Sequence, residues 1–379
     1  MTTIEQVHDT FTRWLGKEYD LDALDAVLAT AAVHHLTGDP TWLLVISGSG
    51  NAKTETVGAL GGKAIITSTI TSEGALLSAA SQKEKAKDAT GGLLRRVGTN
   101  GTLVIKDFTS ILSMNRDSRA AVLAALREVY DGRWERNVGT DGGRTLTWSG
   151  RMVLIGAVTT AYDAAHGVIS AMGDRFALVR MDSTSGRREA GRQALANVGR
   201  EVEMRTELET AASSILDALD GCRADLTDDD MNELLDVADL VTLARTAVER
   251  DYQGNVLDAH APEMPTRFAK QLGQIIRGGM ALGMSREHAR RIALRVARDT
   301  MPPLRRLVLL DVADNPYTNC ADAVKRLQRP RKTVDRVLQE LHALGLLEID
   351  DRDRGWRYRL DIETVDKETL DLFREVDRA

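Results

Sequence analysis

The spacing of hydrophobic positions changes several times along the chain, and each change indicates a different kind of structure. Over residues 1–40, apolar side chains recur three or four positions apart, which predicts amphipathic helices. From residue 41 to residue 185, short apolar runs alternate with helix-length segments, as in βαβ units around a parallel sheet. The runs are WLLVI (42–46), AII (64–66), TLVIKDF (102–108), MVLIGAV (152–158) and RFALVRM (175–181).

Two sections with other patterns come after the α/β section. Residues 186–300 have helical periodicity throughout, which predicts a wholly helical section. Residues 301–363 read as three helices and then an alternating stretch that turns as a β-hairpin does. Residues 364–379 are predicted to form a C-terminal tail.

Composition limits the classes of protein that fit. No run of about eighteen uninterrupted apolar residues occurs, so we expect no membrane span and no membrane partner. The polar N-terminus shows no secretion signal, and Cys222 and Cys320 lack metal-ligand spacing, which together favour a cytoplasmic protein. The net charge of −6 argues against a polybasic nucleic-acid coat, although local basic patches still permit DNA binding.

The first candidate chemistry lies in LLVISGSGNAKTETV, residues 43–57. An apolar strand leads into a glycine-rich loop and a helix, the arrangement in which backbone N–H groups bind phosphate. Relative to G-x-x-x-x-G-K-[ST], Ser47 replaces the first glycine and alanine precedes the lysine. The candidate nucleotide-binding residues are Gly48, Ser49, Gly50, Asn51, Ala52, Lys53 and Thr54.

The order of the following motifs carries a resemblance. VIKDF sets an acidic residue at the end of a buried strand, a hairpin-like insert RWERNVGTDGGRTLTWSG precedes the strand RMVLIGAVTT, and GDRF follows. This order resembles AAA+ ATPases of the branch with a β-hairpin before the sensor 1 strand, to which the minichromosome maintenance helicases belong. Those helicases also tolerate alanine before the loop lysine. The similarity covers about residues 42–181. The sequence resembles ATPase-helicases of phages and mobile elements more closely still.

The resemblance implies a fold and a set of roles. The fold would be an α/β P-loop AAA+ core with helices on both faces of a parallel sheet, a helical lid over 186–300 and a winged-helix domain over 301–363. ATP and Mg²⁺ would be the cofactors, with Lys53 on the phosphates and Thr54 on the metal. Thr159 matches sensor 1, Arg175 in GDRF matches the arginine finger, and Arg267 in PTRF matches the sensor 2 arginine.

The Walker B region departs from the family pattern, which ends in Asp-Glu. Aligned through Phe108, Lys106 replaces the aspartate that organises Mg²⁺, and Asp107 replaces the catalytic glutamate. Aligned from the strand end, Asp107 is the metal ligand and no residue is assigned to polarise the attacking water. ATP binding is therefore expected, with slow hydrolysis, because a short or missing base costs rate.

Nucleic acid would contact two regions. The predicted hairpin carries Arg133, Trp134, Arg136 and Arg144, which could attract phosphates and stack bases. The alternative is that Trp134 and Trp148 pack across the hairpin.

The C-terminal section has the pattern of a winged helix. Thr318 is the expected N-cap of its second helix, Pro330 would lie in the first turn of the third, and Val334, Val337, Leu338 and Leu341 form a buried stripe. Docking of another protein is the alternative use, favoured by Asp350, Asp351 and Asp353. The candidate DNA-binding cations are Lys325, Arg326, Arg329, Arg331, Lys332 and Arg336.

Together these features predict a homo-oligomeric ring, hexameric by the resemblance, that acts as a DNA helicase of a phage or mobile element. A separate primase would supply primers, because no primase motif is present. The first alternative is an ATP-binding regulator or helicase loader with little turnover. A nucleic-acid-sensing ATPase of a defence system is the second.

Overall fold

The structure is a computed structural model that describes residues 2–50, 52–79, 90–139, 142–165, 174–219, 225–350 and 355–378. The chain forms two compact units, each assembled from separated segments. The first unit comprises Met1–Ala164, Arg175–Asp225 and Gln274–Ile292. The second comprises Ala165–Asp174, Leu226–Gly273 and Ala293–Ala379.

The strands divide between a central sheet and three hairpins. They are β1 (Trp42–Ile46), β2 (Ile65–Thr67), β3 (Asn100–Ile105), β4 (Arg133–Val138), β5 (Arg144–Ser149), β6 (Arg151–Val158), β7 (Ala177–Arg180), β8 (Val248–Arg250), β9 (Val256–Ala259), β10 (Leu347–Asp350) and β11 (Arg357–Leu360).

The helices connect these strands and form most of the second unit. In the first part of the chain they are α1 (Ile4–Leu15), α2 (Leu21–Ala32), α3 (Lys53–Gly58), α4 (Glu73–Leu76), α5 (Leu93–Val97), α6 (Thr109–Leu112) and α7 (Arg116–Tyr130). They continue as α8 (Arg187–Ala196), α9 (Glu201–Leu216), α10 (Asp228–Ala244), α11 (Thr266–Ala281), α12 (Arg286–Thr300), α13 (Pro303–Asp314), α14 (Cys320–Leu327), α15 (Arg331–Ala343) and α16 (Lys367–Arg378).

A five-stranded parallel sheet is the centre of the first unit. Its strand order is β2-β3-β6-β1-β7, and every neighbouring pair is parallel. All five residues of β1 are buried, because β1 lies between two neighbouring strands and is covered by helices. Such strands read as continuous apolar runs. The predicted α/β class with a parallel sheet is therefore confirmed.

Helices α2, α3, α5 and α7 pack against this sheet. The N-terminal helices predicted from the periodicity are also present, and each has a side-chain cap. Thr3 and Gln6 form a capping box at α1, and Asp20 caps α2 through the N–H of Ala23. Ile4, Val7, Phe11 and Trp14 form the buried face of α1.

The second unit contains a hairpin inside the section that the periodicity predicted as wholly helical, so that prediction is wrong. Strands β8 and β9 pair antiparallel around a turn at Asp251. The Asp251 side chain accepts hydrogen bonds from the N–H groups of Gln253 and Asn255, both at 2.8 Å, and Gly254 has a φ of 91°. Local side-chain bonds and a left-handed residue favour a turn over a helix.

The last part of the second unit contains three helices and a β-hairpin. Helices α13, α14 and α15 pack on one another, and β10 pairs antiparallel with β11. The backbones of Thr318 and Tyr358 exchange two hydrogen bonds, so the segment before α14 forms a single antiparallel bridge with β11. The predicted stripe of Val334, Val337, Leu338 and Leu341 is buried in α15.

Two predicted helix ends in this region are displaced by one residue. Asn319 caps α14 by accepting a hydrogen bond from the N–H of Asp322 at 3.0 Å, while Thr318 pairs with the hairpin. Pro330 precedes α15 and does not lie in its first turn. Asp351 and Asp353 lie outside the described residues.

Candidate nucleotide-binding site

The loop between β1 and α3 leaves the carboxyl edge of the central sheet. Ser47 remains attached to the sheet, because its N–H donates to the carbonyl oxygen of Val158 at 3.2 Å. Gly50 has a φ of 80°, and a Cβ there would meet no neighbouring atom, so the backbone conformation accounts for the glycine. Ala52 precedes α3 and carries no polar group that could cap the first turn. Asn51 lies outside the described residues.

Lys53 follows this loop as the first residue of α3. Its side chain is 8% exposed, and its Nζ donates a hydrogen bond to the carbonyl oxygen of Gly48 at 2.9 Å. Burial lowers the pKa of the Lys53 ammonium, and the nearby Asp107 carboxylate acts in the opposite direction. A bound anion would therefore replace the Gly48 carbonyl as the partner of the Lys53 ammonium.

Asp107 and Thr159 reach the same edge of the sheet from neighbouring strands. The N–H of Phe108 donates to the carbonyl oxygen of Ala157 at 2.8 Å, which joins the segment after β3 to the end of β6. The hydroxyl of Thr109 accepts the N–H of Thr159 at 2.9 Å and lies 3.3 Å from its hydroxyl. The structure therefore brings Lys53, Asp107 and Thr159 to one edge, and adds Thr109, which the sequence analysis missed.

The oxygen donors at this edge fit Mg²⁺. Thr54 supplies a hydroxyl and Asp107 a carboxylate, and both side chains are exposed. Mg²⁺ is commonly held by one or two carboxylates together with substrate phosphates and waters. Lys106 is also exposed and lines a smaller cavity with Thr54, so it places a cation beside the candidate metal ligands.

A cavity of about 560 Å³ borders the loop, which is within the usual range for a ligand pocket. Its walls come from the corner between α1 and α2, from the loop, and from α8 and α9. Tyr19 of the corner is joined to α3, because its hydroxyl lies 2.8 Å from the hydroxyl of Thr56. The lining residues include Trp14, Tyr19, Asp20, Gly50, Ala52, Thr54, Asp182, Asn197 and Arg205.

Arg175 lies at the amino edge of the sheet, where the parallel strands begin, and the loop lies at the carboxyl edge, where they end. Arg175 precedes β7, whose last residue, Arg180, is level with Ile46 at the end of β1. Five residues of strand span about 16 Å, so Arg175 does not reach the loop of its own chain. Its Nη2 lies 3.4 Å from Asp131 Oδ2, and its guanidinium lies 5.8 Å from the ring centre of Tyr130.

Arg267 belongs to the second unit and begins α11 there. Its Nη1 donates to Glu263 Oε1 at 2.8 Å and to the carbonyl oxygen of Asp174 at 3.4 Å. These contacts fix its position within that unit.

The predicted insert is an antiparallel hairpin of β4 and β5, in which Trp134 pairs with Trp148. Trp134 is 7% exposed and Trp148 is 3% exposed, and Nε1 of Trp148 donates to the carbonyl oxygen of Gly98 at 2.8 Å. The two rings therefore pack across the hairpin, which was the alternative given for them above. Trp134 presents no face on which a base could stack. Arg136 is also engaged, donating to Glu73 Oε1 and to the carbonyl oxygen of Leu77, both at 3.0 Å.

Arg133 and Arg144 are the exposed arginines among the hairpin candidates. Arg133 pairs with Glu135, and its side chain is 70% exposed. Arg144 starts β5 opposite Val138, at the tip end of the hairpin.

The C-terminal candidates divide into two groups. Arg326 forms a two-bond pair with the buried carboxylate of Asp311, both bonds at 2.7 Å, and also donates to the hydroxyl of Thr318 at 2.6 Å. This pairing raises the pKa of Arg326 and fixes its side chain within the unit. The remaining candidates are exposed around the start of α15: Lys325, Arg329, Arg331, Lys332 and Arg336.

Comparison with known proteins adds no assignment. No protein-family model and no curated protein matches the chain. Among the helices that the structure describes, none is both long and apolar enough to cross a membrane.

Proposed function

We propose that this chain is an ATP-dependent, ring-forming DNA motor of the AAA+ class, acting as a DNA helicase of a phage or mobile element. The observation that carries the proposal is the position of Lys53. It is buried at the start of α3, at the same sheet edge as Asp107 and Thr159, and the loop before it borders a cavity large enough for a nucleoside.

Each residue at the edge has a separate task in this proposal. Lys53 exchanges the carbonyl of Gly48 for the phosphates of ATP, and backbone N–H groups of the loop bind the same oxygens. Thr54 and Asp107 would hold Mg²⁺, which neutralises phosphate charge when bound. Thr159, oriented by Thr109, would hydrogen-bond the terminal phosphate or the attacking water.

A neighbouring copy would complete the site. Because Arg175 lies at the edge of the sheet remote from its own loop, it could stabilise phosphate charge only in another subunit. Contacts in which one edge of a subunit meets the opposite edge of the next are heterologous, and they form a ring when the rotation closes. A hexamer is what the family resemblance implies.

The remaining sections would supply a lid and a DNA contact. The helical section would act as the lid, with Arg267 as its sensor 2 arginine. The arrangement of α13–α15 with β10–β11 supports a winged helix whose recognition helix is α15. DNA would then meet the exposed cations at the start of α15, with Arg326 kept for the packing of the domain.

A double substitution tests this DNA contact. Arg331→Ala with Lys332→Ala removes two exposed charges at the start of α15, and we expect duplex binding to weaken and its salt slope to fall by about two. Fluorescence anisotropy at several salt concentrations measures both. Arg187→Ala with Arg188→Ala is the matched control, because it removes two exposed charges from the start of α8. Equal loss in both double variants would contradict a specific contact at α15.

A second substitution tests the hairpin. Arg133→Ala with Arg144→Ala should reduce single-strand affinity and flatten its salt dependence, because both side chains are exposed on β4 and β5. Arg136→Ala should act mainly on thermal stability, because that side chain binds Glu73 and the Leu77 carbonyl. An unchanged salt slope in the double variant would show that the hairpin packs within the chain and does not bind single-stranded DNA.

Strand displacement on forked DNA tests the function itself. A motor separates the strands when ATP is added, whereas a helicase loader or DNA-binding regulator binds the fork and leaves it paired. The specific observation that favours this second function is Lys106, an exposed cation that, under the alignment through Phe108, takes the place of the aspartate that organises Mg²⁺. Lys106→Asp would distinguish the two functions further, because a motor limited by this lysine should hydrolyse ATP faster after the change.

A further inference from the structure

Helices α1, α2 and the first turn of α12 meet at one buried carboxylate in the first unit. Asp25 of α2 has no exposed surface. Nε2 of His8, from α1, lies 2.6 Å from its Oδ1, and Nε2 of His288, from the first turn of α12, lies 2.9 Å from its Oδ2. A buried carboxylate needs such partners, because an isolated charge in an apolar interior is costly.

The second oxygen of Asp25 forms a close ion pair with His288. Oδ2 of Asp25 and Nε2 of His288 are close, yet neither atom makes a hydrogen bond within the described part of the chain. Both are buried atoms. A carboxylate oxygen and an imidazole nitrogen at 2.9 Å can share either a proton or a metal ion, because metal ligands bind in their deprotonated form.

A third donor is present at the same place. Asp22 precedes Asp25 by one helical turn, and one donor atom each from Asp22, Asp25 and His288 lie within 4.8 Å of one another. Two ligands of a tetrahedral Zn²⁺ are about 3.3 Å apart when each bond is ~2.0 Å, so small side-chain rotations would close the set. Arg291 holds both oxygens of the Asp22 carboxylate: its Nη2 donates to Oδ1 at 2.9 Å and its Nη1 donates to Oδ2. A carboxylate has about four lone-pair sites, so a metal ion would share Asp22 with this arginine.

We propose that Asp22, Asp25 and His288 form a binding site for a divalent transition-metal ion of the Zn²⁺ type. One imidazole and two carboxylates are donors that suit Zn²⁺, whereas Mg²⁺ prefers oxygen alone. His8 supports the site by fixing the other oxygen of Asp25, as outer partners of metal ligands do. Asp22 and His288 are each about one quarter exposed, which gives the ion a route from solvent.

The proposed ion would act as a structural link. It would join α2 to the first turn of α12, with α1 attached through His8. The corner between α1 and α2 also forms one wall of the cavity beside the nucleotide loop. Because an ion bound only by the folded state stabilises that state, the metal should raise the melting temperature.

Zinc titration of the full chain tests the proposal. Protein treated with a chelator and then gel-filtered should bind one Zn²⁺ tightly in calorimetry and melt several degrees higher with Zn²⁺. His288→Ala should weaken this binding by at least about 100-fold, because a direct ligand is lost and outer partners alone cost 10- to 100-fold. His260→Ala is the matched control: His260 pairs with Glu249 at 3.1 Å in the second unit, and its loss should leave zinc affinity unchanged.

Two outcomes would overturn the site. One is a wild-type chain that binds no Zn²⁺, which would leave Asp25 as a carboxylate paired with two histidines. The other is equal zinc affinity in wild type and His288→Ala. Should His288→Ala fail to fold, Asp22→Asn replaces a partly exposed ligand with a side chain of the same shape, and circular dichroism checks its fold. Its zinc affinity should fall at least tenfold, and an unchanged affinity would reject the proposal.

Discussion

Replacing Lys53 with alanine is expected to weaken ATP binding by about 10- to 100-fold. Lys53 is a buried cation directly after the loop, and its hydrogen bond to Gly48 would be exchanged for a bond to phosphate. A hydrogen bond to a charged group contributes about 1.5–3 kcal/mol, and every 1.4 kcal/mol is tenfold in affinity. Titration with a fluorescent ATP analogue in the presence of Mg²⁺ measures the change.

Lys63→Ala is the matched control for Lys53→Ala. Lys63 belongs to the same unit, but it pairs with Asp217 at the surface. We expect its removal to leave nucleotide affinity unchanged. Equal affinities for wild type and Lys53→Ala, with both chains folded by circular dichroism, would remove the nucleotide-binding loop from this account.

Replacing Arg175 with alanine is expected to reduce ATP turnover by about 10³-fold, the lower end of the range for an arginine finger, while ATP affinity is retained. The reason is that Arg175 lies at the sheet edge remote from its own loop and would act on a neighbour's nucleotide. Single-turnover phosphate release measures the rate even when the wild-type enzyme is slow.

Asp131→Ala separates the two roles that Arg175 could have. It removes the intramolecular contact at 3.4 Å but leaves the arginine in place. If Arg175 were only a structural residue, the two variants would have the same turnover. A shared nucleotide site predicts a large loss in Arg175→Ala alone. It also predicts that mixing Lys53→Ala with Arg175→Ala chains restores part of the turnover, because mixed oligomers contain some intact sites.

The central sheet could be predicted because its strands are buried on both sides. The run WLLVI coincides with β1, and MVLIGAV lies within β6, since a covered parallel strand has no polar face to interrupt the apolar run. The strand order was beyond the sequence pattern, because periodicity says which residues are buried and not which strands are neighbours. The β8–β9 hairpin was missed because its strands have only three and four residues.

The order of the candidate site residues along the chain could be predicted, but the contacts between them could be predicted only in part. A lysine after a glycine-rich loop and an acid after a strand are local signals, and the structure brings both to the carboxyl edge of the sheet. The contact of Tyr19 with Thr56 joins positions 37 residues apart, and no local pattern encodes it. Trp134 and Arg136 were plausible DNA contacts by residue type, but cross-strand pairing and the Glu73 carboxylate engage them within the chain.

Native mass spectrometry of the wild-type chain tests the central claim most directly. It counts subunits and bound nucleotides in the same particle, here with Mg²⁺ and a slowly hydrolysed ATP analogue. A triphosphate site completed by a neighbour predicts oligomers that carry up to one nucleotide per chain, with fewer nucleotides in Lys53→Ala. A chain that remains a nucleotide-free monomer at millimolar ATP would contradict the account.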